Sequence, residues 1–124
     1  MDSQSEKEIR IAFQDMTASQ EMIVRGYINA AVVKGTVRVN ETHENAVRQD
    51  IRVMFFNQQV TVITEPGEKL PEQKFRASLI DLSTGGACLG IEAKQKLIKN
   101  GLATIYLDFI EEGLVVRGKI LALK

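Results

Sequence analysis

Tryptophan is absent from this 124-residue chain, cysteine and histidine occur once each, and sixteen Lys+Arg are cancelled by sixteen Asp+Glu. The single Cys88 has no partner for an intrachain disulfide. The single His43, with no thiolate or carboxylate cluster evident around it, cannot build a histidine-based metal site. Zero formal charge removes the long-range field that draws a general nucleic-acid binder to phosphates, so any anion must be met by a local cluster. Aromatic residues make up 6% of the chain, which leaves few stacking platforms for single-stranded nucleic acid. No apolar run approaches the roughly 18 residues of a membrane span. The opening Met1-Asp2-Ser3-Gln4-Ser5-Glu6 is acidic and polar, unlike a secretory leader. A soluble, cytoplasmic protein is expected. No Ser/His/Asp constellation and no phosphate-cradling P-loop is spelled out, so no catalytic residues, metal or cofactor are expected.

What is present is a globular composition, 44% apolar and 26% charged, in a length that suits about one hydrophobic core. From Ser5 to about Gln20, Ile9, Ala12, Phe13 and Met16 recur at helical spacing, and Ser5 with Glu8 spells a capping box, which predicts an N-terminal helix. Met22 to Val33 is rich in β-branched residues and Thr36 to Asn40 alternates, so both read as strands. The polar run Asn40 to Asn45 reads as a linker. It divides an N-terminal extension over 1–45 from a main domain over 46–124.

Beyond the linker, Ile51 to Thr64 reads as one long strand interrupted at Asn57-Gln58. Glu65 to Pro71 follows as an exposed loop. Phe75, Ala77 and Leu79 share one strand face, and Gly85-Gly86 breaks the chain before Ala87 to Ile91. Ala103, Ile105, Leu107 and Phe109 alternate, and Leu114 to Leu123 returns after a turn at Glu111-Glu112-Gly113. Short strands joined by tight turns predict a mainly β fold, a small antiparallel barrel or sandwich. Cys88, flanked by apolar residues, reads as a small core residue. Arg76 reads as one partner of a cross-strand ion pair.

Two elements carry chemistry: Arg48-Gln49-Asp50-Ile51-Arg52 at the end of the linker, and Asp81-Leu82-Ser83-Thr84-Gly85-Gly86 at a strand turn. With seven arginines, R-x-x-x-R arises by accident about 0.3 times in such a chain, whereas D-x-S-x-x-G arises about 0.015 times. In spelling and order the two elements resemble the PilZ family, over roughly residues 46 to 124. That resemblance implies a small, split-barrel type β-barrel that binds cyclic di-GMP through Arg48, Arg52, Asp81, Ser83 and Gly86. The sequence departs from the family at Val47, where many members carry a further basic residue.

The residue types suit that ligand on their own terms. A guanidinium can bond a phosphodiester or grip guanine O6 and N7, and it can stack on a purine face. An ionised Asp81 only accepts, and guanine N1–H and N2–H₂ only donate. Ser83 offers a hydroxyl, and Gly86 carries no Cβ to block close approach.

The expected function is a non-catalytic cyclic di-GMP receptor that couples ligand binding to rearrangement of its N-terminal region or of a protein partner. The alternative is a nucleotide-independent PilZ-like adaptor for protein contacts. Family members usually continue into a further strand beyond the last residues present here, so Met22 to Val39 is expected to pair with the barrel edge, within the chain or from a neighbour. The Ile9/Phe13/Met16 face of the first helix is then expected to pack on the barrel or on a partner.

Overall fold

The structure, a computed structural model, describes residues 6–34, 39–40, 52–68 and 70–123. In chain order the elements are β1 (Glu6–Gln14), α1 (Ala18–Lys34), β2 (Val39–Asn40), β3 (Arg52–Thr64), β4 (Gln73–Leu82), β5 (Gly86–Glu92), β6 (Leu102–Tyr106) and β7 (Val115–Leu123). Neighbouring strands run antiparallel in the order β3-β4-β5-β1-β7-β6, and β6 pairs back onto β3 through Thr61 to Thr64. The result is a closed six-stranded barrel, the mainly β fold expected from the alternation. The two-residue β2 lies outside the ring, on the opening residues of β3.

The first two elements exchange identities relative to the expectation. Residues 6–14 form a strand where a helix was expected. Ile9 and Phe13, four apart, fit either period, so they could not decide between them. Ile11 decides: two residues beyond Ile9 it would fall on the far side of a helix, yet Ile9 and Ile11 are 1% and 2% exposed while Glu8 and Arg10 face outward. The strand ends at Asp15, whose φ of 52° reverses the chain. The working capping box is Thr17-x-x-Gln20: the Gln20 amide donates to Thr17 Oγ1 (3.0 Å) and the Thr17 amide to Gln20 Oε1 (2.8 Å). From there Met22 to Val33 is helical, not extended. Val24, Ile28 and Ala31 return to one buried face at helical spacing, and this packing overrides β propensity.

The helix is tied to the barrel in two ways. Gln20 Nε2 donates to the Val115 carbonyl (2.6 Å). Tyr27 lies parallel to Phe55 of β3 and edge-on to Phe109 of the β6–β7 loop, with ring centroids 6.3 and 5.5 Å away.

Strand β1, not the segment 22–39, fills the place between β5 and β7. Glycines on both neighbours admit it. A Cβ at Gly86 would run into the Ile11 carbonyl oxygen, and one at Gly118 into the Ile11 side chain and the Ala12 carbonyl. The barrel therefore takes a strand from ahead of residue 46, and α1 shares its core. The division at 45/46 does not bound the folded unit. Residues 36–38 of the expected second strand and most of the linker, including His43, lie outside the described residues. Among the described residues, no helix is long and apolar enough to cross a membrane.

Candidate functional site

The site grows out of a register shift. Phe75, Ala77, Leu79 and Asp81 alternate, and a regular β4 would turn Asp81 toward the core with Leu79. Between Leu79 and Asp81 the β4–β5 ladder slips: Leu79 faces Leu89, but Asp81 faces Cys88. The extra residue, Ile80, re-aims Asp81 onto the outer wall, as bulges do. One cross-strand row results, running from Met54 through Asp81 and Cys88 to Arg10. The residues flanking it, Val53, Leu82, Ala87, Leu89, Ile9 and Ile11, fill the interior.

Arg52 opens β3 two residues before Met54 and reaches diagonally across the ladder. Its Nη1 donates to Asp81 Oδ1 at 2.8 Å. The two sequence elements, 29 residues apart, thus meet in a charge-assisted bond with the Asp81 residue 7% exposed. Asp81 leads directly into the turn joining β4 to β5. There the Ser83 amide donates to the Gly86 carbonyl (2.9 Å), and Ser83 Oγ accepts from the Gly85 amide (3.3 Å) and donates to the Gly86 carbonyl (3.4 Å). The Ser83 hydroxyl is therefore engaged inside the turn, and the missing Cβ of Gly86 is already required by β1. Arg48 lies outside the described residues.

A recess of about 250 Å³ opens beside this turn, lined by Arg52, Ser83, Gly85, Gly86 and a residue the sequence reading passed over, Arg10. Reading residues 5–20 as a helix hid it. The alternation of Glu8 and Arg10 with Ile9 and Ile11 is the signal that places it on the barrel wall. Arg76 is exposed on β4 opposite Thr61, and among the described residues it makes no ion pair, contrary to the cross-strand bridge expected of it.

Cys88 is buried, as expected, but on the outer wall beneath charged side chains and not in the barrel interior; its Sγ lies 3.9 Å from Glu8 Oε1. Burial pushes its thiol pKa up, with Asp81 and Glu8 adding to the rise and the Arg10 and Arg52 guanidiniums opposing it. Above the ordinary thiol value of 9.0, the unfolded chain has released a proton that the folded chain keeps. Stability is therefore expected to fall as pH rises through that window. Melting temperatures at pH 8 and pH 10 check this: Cys88→Ala should shrink the alkaline loss, and an equal loss in both proteins would remove Cys88 as its source. Burial raises Tyr27 as well, and its contribution remains in both proteins.

Among the described residues, no group of three or more His, Cys, Asp or Glu is arranged to hold a metal ion. No family model matches the chain, and neither a curated protein nor a solved structure does.

Proposed function

We propose that the chain is a receptor for cyclic di-GMP, with the ligand held on the outer barrel wall at Arg52 and Asp81, beside the Ser83–Gly86 turn. The observation that carries this reading is the 2.8 Å bond between Arg52 and Asp81, which brings the two resembling sequence elements into one place next to a recess. A guanidinium and an acceptor-only carboxylate side by side offer complements to a phosphodiester and to the Watson–Crick edge of guanine. In this reading Arg48 joins Arg52 from the preceding segment. Because β1 is a barrel strand, the element of the N-terminal region that is left to respond among the described residues is α1, which rests on Phe55, three residues along β3 from Arg52.

The rival reading is a nucleotide-independent adaptor, in which the Arg52–Asp81 pair serves only to pin the start of β3 to the end of β4. Calorimetric titration separates the two. Saturable binding of cyclic di-GMP is expected. Cyclic di-AMP should bind at least about tenfold more weakly, because adenine N1 is an acceptor and faces the carboxylate lone pairs. No heat with cyclic di-GMP would favour the adaptor, and equal affinity for the two dinucleotides would remove Asp81 as the guanine reader.

A further inference from the structure

We infer that Arg10, supplied by strand β1, is a phosphate-binding arm of this same site. The inference rests on the receptor reading and adds to it a residue that neither sequence element contains. Arg10 faces outward because Ile9 and Ile11 on either side of it are buried, and it stands directly across the ladder from Cys88, which in turn faces Asp81. At about 4.8 Å per strand, Arg10 and Asp81 are two strands, or roughly 10 Å, apart. Arg10 and Arg52 line one recess, and the backbone of Gly85 and Gly86 forms part of the same lining with no side chain to obstruct it.

The charges of the two arginines are differently disposed. Arg52 is bonded to Asp81, whereas Arg10 is exposed and makes no ion pair among the described residues. Glu8, the nearest carboxylate along β1, approaches Cys88 Sγ and does not line the recess. Among the described residues, the positive charge lining the recess that Asp81 does not already offset is therefore that of Arg10. A phosphodiester presents two equivalent oxygens and one negative charge, which a planar guanidinium fork meets better than a lysine ammonium does. A volume of about 250 Å³ suits a phosphate and its flanking sugar atoms, not a whole dinucleotide, so the bases would lie over the wall toward Asp81. Ligand engagement would then bear on β1, whose next residues, Asp15 to Thr17, lead into α1.

The test is calorimetric titration of the full chain with cyclic di-GMP, using wild type, Arg10→Ala, Arg10→Glu and Lys94→Ala. The last removes an equal charge from an exposed turn outside the recess. Arg10→Ala should weaken binding at least about tenfold and Arg10→Glu should weaken it further, with melting temperatures unchanged because Arg10 is exposed. Lys94→Ala should bind like wild type. If wild type binds and Arg10→Ala binds equally well, or if Lys94→Ala loses as much, the role given to Arg10 is wrong while the receptor reading stands. If wild type does not bind cyclic di-GMP, the receptor reading falls and takes this inference with it.

Discussion

Removal of residues 1–14 is expected to abolish the fold, not to trim an appendage. Strand β1 is hydrogen-bonded on both sides, to β5 and to β7, and its loss would open the ring and leave two unpaired edges. It would also withdraw Ile9 and Ile11 from the core, where each contributes about 1.5–3 kcal/mol by burial. Against a total stability of roughly 5–15 kcal/mol, those two side chains and the lost ladder leave little margin. Gly86 and Gly118, shaped to receive β1, would face a gap. Far-ultraviolet circular dichroism, size-exclusion chromatography and hydrogen exchange on β7 are the measurements. Aggregation or loss of the cooperative transition is expected. A soluble product with the wild-type melting temperature and unchanged β7 protection would show that the barrel does not need β1.

Asp81→Ala is expected to have the next largest effect, and on two properties at once. Arg52 would lose its carboxylate partner at a junction where Asp81 is buried, at a stability cost of about 1–2 kcal/mol. Cyclic di-GMP would lose the acceptor assigned to guanine, and Arg52 would lose the bond that aims it, so affinity should fall at least about tenfold. A double-mutant cycle with Arg52→Ala separates pairing from mere proximity. The two substitutions should be markedly non-additive in urea unfolding, since the second removes a partner already gone. Additive losses would mean that the bond is not coupled. A stability loss as great as that of Ile11→Ala, about 2–5 kcal/mol, with ligand affinity unchanged would assign Asp81 to the turn alone.

Strands β3 to β7 were legible in the sequence because β4 and β6 carry a period-two pattern and the others are runs of strand-forming residues bounded by glycine, proline or acidic turns. The long loop Glu65–Pro71 is where its prolines place it, while the break expected at Gly85-Gly86 falls at 83–85, with Gly86 already the first residue of β5. The N-terminal third was misread for physical reasons. Ile9 and Phe13 satisfy two periods at once. Val24 and Ile28 of α1 reflect packing demands on its buried face, and propensity alone cannot see them. In the site, Asp81, Ser83 and Gly86 were legible as a turn, but the outward aim of Asp81 depends on the bulge at Ile80. Nothing in the local spelling of β4 marks that bulge. For Arg10 the alternation with Ile9 and Ile11 carries its outward aim, but its place opposite Cys88 is set by a strand from the opposite end of the chain, and only the barrel's closure reveals that neighbour.

The most direct test of the receptor account is a heteronuclear NMR titration of the full chain with cyclic di-GMP, following backbone amides and arginine Nε–H signals. Shifts should saturate and concentrate on Arg10, Arg52 and the run from Asp81 to Ala87, with a smaller response along α1 near Tyr27. Absence of shifts at saturating ligand would contradict the account. So would shifts gathered at a larger recess of about 540 Å³, between the Glu65–Pro71 loop and Leu97–Leu102, with the Arg52 and Asp81 signals unmoved.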